Sequence, residues 1–416
     1  MGKMKDSGIE WIGEIPEHWN VHPICSYFTE RKNKNFLGLE KNLLSLSYGK
    51  IVRKNINSNN GLLPESFNTY NIIEKDDIII RPTDLQNDKK SLRTAISKEH
   101  GIITSAYIAM KTIKNINSEY FYYLLHTYDV MKVFYNMGNG VRQGLNFSEF
   151  SKLMIFEPPI EEQQKIAFFL NDKCTEIDSL ISKLKKQIEI LEQYKRSVIT
   201  EAVTKGLNPD VEMKDSGIEW IGDIPEHWEI QKLKYIAKLS PYCDFSKISD
   251  ETIIEYLPME YIKNGHYISN SKKYSEIPKP LTPFQSGDIV FAKVTPCFEN
   301  GNIAIMDNIT SGIGLGSSEL YVIRPFAINC MFIFYWLQNS GFIEKAVFSM
   351  TGMGGLKRVP SQFINNLSIV LPPIEEQQQI ADYLDKKCKT IDKIISEKNN
   401  KLKLLKNTRS HLSLSM

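Results

Sequence analysis

Two long stretches of the chain carry apolar residues spaced alternately four and three apart, with charged and polar residues between them. In the first stretch these positions are Leu170, Cys174, Ile177, Ile181, Leu184, Ile188, Leu191 and Val198, with Lys195 in the last gap. In the second they are Leu384, Cys388, Ile391, Ile395, Leu402, Leu405 and Leu412, with Lys398 where the first has Leu184. This spacing predicts two long helices, over about 160–203 and 374–410, each with a coiled-coil seam.

A seam of this length needs a partner. Forty helical residues span roughly 60 Å, which is longer than a globular helix requires. The other seam is the nearest partner along the chain. The alternative is that each helix packs only on its own domain.

Short β-branched runs bounded by turn residues recur outside the long helices and predict strands. They are KDDIIIRPTD (75–84), TSAYIAMKTI (104–113), SGDIVFAKVTP (286–296) and SSELYVIRPF (317–326). The segments 118–137 and 329–350 follow, with the apolar pattern of amphipathic helices, and each leads into a glycine-rich loop. We therefore expect a mixed α/β domain before each long helix.

Two phrases occur twice in the same order and show that the chain is an internal duplication. The tryptophan phrase, MKDSGIEWIGEIPEHW at 4–19, returns at 213–228 with one change, Glu14 to Asp223. The glutamine phrase, PPIEEQQ at 158–164, returns at 372–378. The repeat predicts a pseudo-two-fold protein divided into 1–157, 158–208, 209–371 and 372–416. The apolar residues of the tryptophan phrase favour packing on a core over stacking on bases.

The composition is that of an ordinary folded protein: 416 residues, 42% hydrophobic, 24% charged and a net charge of +2. No apolar run has the length of a membrane span, and the N-terminus lacks a signal-peptide core, so we expect a cytoplasmic protein. The six cysteines show no Cys-x-x-Cys pair, which argues against a zinc site. No phosphate-binding loop or methyltransferase motif occurs, and the residues that both halves share are structural.

The glycine-rich loops carry the candidate chemistry. GNGVRQG (138–144) aligns with GMGGLKR (352–358), and in both loops the glycines permit close backbone approach beside Arg142 and Gln143, or Lys357 and Arg358. Block 20–157 contains 18 Lys and Arg against 13 Asp and Glu, whereas block 229–371 contains 13 against 12. In a protein that touches DNA, such loops contact phosphates and base edges. The alternatives are a solvated charge cluster and a loop that only caps the preceding helix.

Taken together, the repeated phrases, the two variable blocks and the glycine loops resemble the specificity subunit of type I restriction-modification systems. The resemblance covers essentially the whole chain. It implies an α+β fold in which two mixed α/β target recognition domains are joined by two long helices that form an antiparallel coiled coil. Each domain would read one half of a split, asymmetric DNA target, and the helices would set the spacing and dock the methylation subunits.

The resemblance also implies partners and assigns the chemistry to them. They are double-stranded DNA, two methylation subunits and restriction subunits, with no membrane. S-adenosylmethionine, ATP and Mg would belong to the partner subunits, so this chain would hold no cofactor, no metal and no catalytic residue. The predicted DNA contacts are Arg81, Thr83, Lys89, Lys90, Arg93, Asn139, Arg142, Gln143, Lys293, Asn300, Lys357 and Arg358.

Other functions would require different sequence features. A fused methyltransferase would need a cofactor-binding domain, and no stretch remains for one once the repeats are assigned. A non-catalytic coiled-coil adaptor would need no arginine-bearing glycine loops at equivalent places. A DNA-binding part of a different methyltransferase complex stays an alternative.

Overall fold

The computed structural model describes residues 3–9, 11–57, 64, 66–85, 92–135, 137, 144–263, 265–309, 311–352 and 355–412. The chain forms two compact units: Met1–Lys185 with Asn400–Met416, and Lys186–Asn399. The end of the chain therefore belongs to the first unit. This division differs from the four predicted segments because each long helix is shared between the two units.

The first unit contains the shorter sheets and the start of a long helix. Among its described residues the strands are β1 (Met4–Asp6), β2 (Glu14–Pro16), β3 (Asn20–Pro23), β4 (Phe28–Glu30), β5 (Leu44–Ser47), β6 (Lys50–Arg53), β7 (Asn71–Ile73), β8 (Ile78–Ile80), β9 (Thr94–Ile96), β10 (Gly101–Ile103), β11 (Ile108–Thr112) and β12 (Met154–Glu157). Its helices are α1 (Ser118–Val130), α2 (Phe147–Phe150) and the first part of α3 (Ile160–Lys205).

The second unit repeats this arrangement with additional strands. Its described strands are β13 (Met213–Asp215), β14 (Asp223–Pro225), β15 (Glu229–Lys232), β16 (Ala237–Leu239), β17 (Ile253–Leu257), β18 (Ile262–Lys263), β19 (His266–Tyr267), β20 (Ser271–Lys273), β21 (Thr282–Gln285), β22 (Ile289–Ala292), β23 (Ile303–Ile305), β24 (Ile313–Gly316), β25 (Leu320–Pro325) and β26 (Ser368–Leu371). Its helices are α4 (Cys330–Trp336), α5 (Ser340–Ser349), α6 (Ser361–Asn365) and most of α7 (Ile374–His411).

The predicted strands form equivalent antiparallel sheets. The order is β4-β11-β8-β9 in the first unit and β16-β25-β22-β23 in the second. Every residue of β8 and of β22 is buried, as continuous apolar runs require of central strands. In the second unit a further sheet, β20-β17-β24-β21, contains a parallel pair, β17 with β24.

The helix predicted over 329–350 is two helices, α4 and α5. Asn339 lies between them, and its side chain accepts a hydrogen bond from the backbone N–H of Phe342, so it acts as the N-cap of α5. Asparagine satisfies the unpaired N–H groups of a first turn better than it continues a helix, which explains the break.

The two repeated phrases pack against each other. His18 Nε2 lies 2.8 Å from Glu162 Oε1, and Trp19 Nε1 donates to Glu162 Oε2 at 2.9 Å. In the second unit His227 Nε2 lies 2.8 Å from Glu376 Oε2. The rings of Trp19 and Trp228 are buried, which confirms packing as their role. Trp11, the other tryptophan of the first phrase, is 42% exposed, with its ring edge-to-face with Tyr128.

A buried glutamine of the glutamine phrase links the start of each long helix to the N-cap residue of another helix, α1 in the first unit and α4 in the second. Gln163 Oε1 accepts from the backbone N–H of Asn117, the N-cap of α1, at 3.0 Å, and Gln163 Nε2 donates to the Pro158 carbonyl at 2.8 Å. Gln377 forms the same two bonds, with the Asn329 N–H at 2.8 Å and the Pro372 carbonyl at 2.7 Å.

The long helices pair antiparallel in both units. In the second unit Lys398 Nζ donates to Gln187 Oε1 at 2.8 Å, and Lys195 Nζ lies 2.6 Å from Asp392 Oδ2, so positions rise along α3 as they fall along α7. The first unit has the equivalent ion pair, with Arg409 Nε 3.4 Å from Asp178 Oδ1. Arg409 and Asp392 each lie 214 positions after their counterparts, Lys195 and Asp178.

Both lysines that interrupt the seams thus have a partner on the opposite helix. Lys195 and Lys398 replace apolar residues at seam positions, where an unpaired charge would be costly. Each instead meets a polar side chain of the other helix, so the seam continues through both positions in the second unit. The predicted helix pairing is confirmed.

Antiparallel pairing can be checked by crosslinking. In the first unit Leu412 packs on the cluster that contains Cys174. A Leu412→Cys chain treated with a short bismaleimide should therefore form an intrachain link to Cys174, identified by peptide mass spectrometry. The unmodified chain is the control. A Cys174 to Cys388 link in that control would indicate parallel helices and contradict this structure.

The buried His126 of α1 predicts a pH dependence for the first unit. Burial, reinforced by Arg409 and Lys132, lowers the pKa of His126 to about 4. An unfolded histidine takes up a proton near pH 6.5, so the free energy of unfolding should fall as pH drops from about 6.5 toward 4. Denaturant midpoints at pH 7.5 and 5 should differ less for His126→Gln than for the wild type. The control His22→Gln, at an exposed histidine, should keep the wild-type difference.

Candidate nucleic-acid interface

In both units, the loop that follows the central strand meets the end of the glycine loop. In the second unit the Val359 N–H donates to the Lys293 carbonyl at 2.9 Å, and the Thr295 N–H donates to the Lys357 carbonyl at 3.0 Å. In the first unit the Leu145 N–H donates to the Pro82 carbonyl at 3.0 Å. Segments distant in sequence are thereby brought together at the carboxyl end of β8 and of β22.

These equivalent bonds also align the two glycine loops. Since Leu145 corresponds to Val359, Gly144 occupies the position of Arg358. The predicted counterpart Arg142 therefore lies two residues earlier than Arg358. It belongs, with Lys89, Lys90, Asn139 and Gln143, to the part of the chain outside the described residues.

Arg358 is held at both its backbone and its side chain. It exchanges backbone hydrogen bonds with Thr351, at 2.8 and 3.0 Å, and also forms a bridge with Val294. Its Nε and Nη2 each donate to one carboxylate oxygen of Glu319 at 2.8 Å. The Arg358 side chain remains 46% exposed, so solvent still reaches it while it is paired with Glu319.

Glu319 lies between two cations. The hydrogen bonds from Arg358, and to a smaller extent the charge of Lys293, hold the pKa of the Glu319 carboxyl below its usual range. The Lys293 N–H donates to the Glu319 carbonyl at 3.0 Å, and Lys293 Nζ lies 5.5 Å from the centroid of the Tyr321 ring. A carboxylate at the centre of this basic cluster was not predicted.

The other predicted residues of the second unit lie on the same two loops. Lys357 is exposed, and its N–H donates to Thr295 Oγ1 at 3.1 Å. Asn300 is exposed on the turn that follows Pro296. The structure therefore brings Lys293, Asn300, Lys357 and Arg358 to one end of the β22 sheet.

In the first unit the structure corrects the prediction for Arg93, which is fully buried and cannot reach a duplex as a direct contact. Its Nε donates to the Tyr135 hydroxyl at 3.1 Å, its Nη2 donates to the Asp84 carbonyl at 2.8 Å, and its Nη1 donates to the Thr83 carbonyl. Arg93 therefore fixes the turn after β8 from beneath. The buried Asp129 completes the arrangement by accepting from the backbone N–H groups of Arg93 and Thr94.

Arg81 and Thr83 lie on that turn. The Arg81 side chain is 33% exposed, and its Nη2 lies 3.7 Å from Asp84 Oδ2. Thr83 presents its carbonyl to Arg93 and is half-buried. A partly exposed arginine on a turn held by buried hydrogen bonds is suited to a phosphate contact.

Neither a membrane-spanning helix nor a metal site is found in the part of the chain that the structure describes. There, no helix is long and apolar enough to span a membrane. No group of three or more His, Cys, Asp or Glu in that part could hold a metal ion. The six cysteines are free thiols.

Comparison with known proteins identifies relatives. A family model described as type I restriction modification DNA specificity domain matches residues 24–190 and again 225–404. The type I restriction enzyme EcoAI specificity subunit of Escherichia coli is 39% identical over 163 residues, which are 38% of this chain. That match spans only 27% of the EcoAI subunit's length.

Two further relatives match over more of their length. The type I restriction enzyme MjaVIII specificity subunit of Methanocaldococcus jannaschii is 28% identical over 321 residues, covering 72% of this chain and 69% of that protein. A chain in a solved structure of a type I R-M system superposes with a TM-score of 0.68 at 14% identity, covering 96% of this chain and 97% of that one. This likeness supports the α+β fold with its two mixed domains and two long helices.

The contrast between Arg93 and Arg81 is testable. Arg93→Ala removes a fully buried side chain and its hydrogen bonds to Tyr135, Thr83 and Asp84, and should cost about 2 to 4 kcal/mol of unfolding free energy, measured by urea denaturation. Arg81→Ala, the matched control, should change stability by no more than about 0.5 kcal/mol. It should instead weaken DNA binding and reduce the salt slope of the affinity by about 0.9. Equal stability losses in both variants would contradict these assignments.

Proposed function

The chain belongs to the family of type I restriction modification DNA specificity domains, and we propose that it is the DNA-recognition chain of such a system. Each unit reads one half of a split, asymmetric target. The paired helices set the distance between the half-sites and dock the methylation subunits.

The observation that carries the proposal is the repeated geometry of the loops. Equivalent backbone bonds, at Val359 and at Leu145, join the residue that follows each glycine loop to the turn after the central strand of its unit. Around those joints lie the basic residues of the second unit and Arg81 of the first. Rigid loops with partly exposed guanidinium groups suit phosphate and base-edge contacts.

The internal repeat supports a split target. Two recognition units encoded by an internal repeat suit a duplex, whose strands are themselves related by two-folds, with one unit for each half-site. The loops of the two units differ in sequence, so the half-sites differ and the target is asymmetric. Arg142, Gln143, Asn139, Lys89 and Lys90 are proposed contacts of the first half-site.

The chain itself is proposed to be non-catalytic. In this assignment two methylation subunits use S-adenosylmethionine, and restriction subunits use ATP and Mg. This chain would bind the DNA and position those partners in the cytoplasm, where the DNA lies.

Exchange of one recognition block tests the proposal. Residues 20–157 are replaced by the corresponding block of a relative, and the methylated motif of the host genome is sequenced with and without the exchange. Only one half of the motif should change, because one unit reads one half-site.

The reciprocal exchange, of residues 229–371, is the control and should change only the other half. Simultaneous change of both halves in either exchange would refute the modular assignment. An unchanged motif in both exchanges would remove DNA recognition from these blocks.

A further inference from the structure

The sequence predicts that the guanidinium of Arg358 contacts DNA. In the structure this group is paired with the Glu319 carboxylate. Nε and Nη2 of Arg358 point at its two oxygens in a parallel, bidentate pair at 2.8 Å. A guanine edge offers the same geometry through O6 and N7, and a phosphate offers it through two oxygens. In the unbound chain, the carboxylate is therefore an internal substitute for either ligand.

We propose that Glu319 is a specificity-determining residue of the second unit, which withholds Arg358 from phosphates and yields it only to a guanine edge. This inference rests on the proposed function. It adds a residue outside the predicted contacts and a base pair for one half-site.

The position of Glu319 explains the selectivity. The backbone of Arg358 is held by its pairing with Thr351 and its bridge to Val294, which keeps the guanidinium beside the Glu319 carboxylate. A phosphate that approaches it meets a carboxylate of like charge, which opposes non-specific binding. Glu319 remains 29% exposed, so it can still be reached from the solvent side.

A G·C pair removes this opposition. In the major groove guanine presents O6 and N7 to an arginine, and its paired cytosine presents an N4 amine to a carboxylate. Arg358 and Glu319 could then each gain a ligand on one base pair, whereas a phosphate satisfies only the arginine. The second half-site is therefore expected to contain a G·C pair read by these two side chains.

The competing explanation is that Glu319 only stiffens the glycine loop. A role in DNA specificity and a role in stiffening the loop can be tested separately, because the backbone pairing of Arg358 with Thr351 does not involve the Glu319 carboxylate. Partly exposed ion pairs contribute little to folding, so Glu319→Gln should leave the thermal unfolding midpoint close to that of the wild type.

The experiment first enriches a cognate duplex from a randomised pool with the wild-type full chain and its methylation partner. Affinities for that duplex and for a scrambled duplex are then measured at several salt concentrations. Glu319→Gln should bind the scrambled duplex about three- to tenfold more tightly, with a salt slope steeper by about 0.9, because Arg358 now neutralises a phosphate. Enrichment repeated with this variant should lose preference at one G·C position of one half-site.

Two controls isolate the effect. Glu299→Gln removes an equal charge from an exposed position on the β22 loop and should leave the cognate-to-scrambled ratio unchanged. In an Arg358→Gln background, Glu319→Gln should no longer tighten binding to the scrambled duplex. A gain that persists without Arg358 would reflect net charge alone and would overturn the proposal.

Two other results would also overturn it. Glu319→Gln could weaken binding to both duplexes equally, as a scaffold residue would, or it could match Glu299→Gln. Failure of the wild type to enrich any sequence is a different result, since it refutes the proposed function itself. Enrichment by the wild type with no effect of Glu319→Gln refutes only the role of Glu319.

Discussion

The burial of two long apolar seams is the constraint on which the rest of the structure depends. Helix α3 extends over 46 residues, about 70 Å, and its seam cannot be covered by one small sheet domain. Each unit solves this by pairing segments of α3 and α7. Because the chain is a duplication, the ion pair Lys195–Asp392 of one unit recurs as Arg409–Asp178 in the other. A single repeated sequence thus forms a self-complementary pair of helices, as an isologous dimer interface would.

In each unit the tryptophan phrase contacts the glutamine phrase. Glu162 accepts from the indole of Trp19 and pairs with His18, which places the start of α3 against the segment before β3. A change on one side would leave a polar group without its partner on the other. The blocks between the phrases lack this mutual dependence, and they are where the two halves diverge. The sequence that the two halves share is therefore found where the phrases contact each other, and the sequence that differs lies in the blocks between them.

The features that the sequence predicted depend on local periodicity. The seams predicted both long helices to within a few residues of their ends, and the apolar runs predicted β8, β11, β22 and β25. The prediction for Arg93 was wrong because burial is decided by residues far along the chain, such as Tyr135, and a basic residue in a basic stretch has no local sign of it. Glu319 was missed for the same reason, since its partner Arg358 lies 39 positions further along the chain. The only signal in the sequence is an acidic residue beside the strand in SSELYV, and the sequence does not indicate which residue it pairs with.

The bond that joins each variable block to its long helix is chemically one-sided. At this contact Gln163 and Gln377 supply side chains from the repeated phrase, and the blocks supply the backbone N–H groups of Asn117 and Asn329. In the second unit Asn329 Nδ2 also donates to Gln378 Oε1 at 2.7 Å. Every amino acid except proline carries that N–H. These two backbone bonds therefore do not depend on which residue other than proline the block presents there. Exchange of a block between related genes would preserve these two bonds without a compensating mutation at the glutamine.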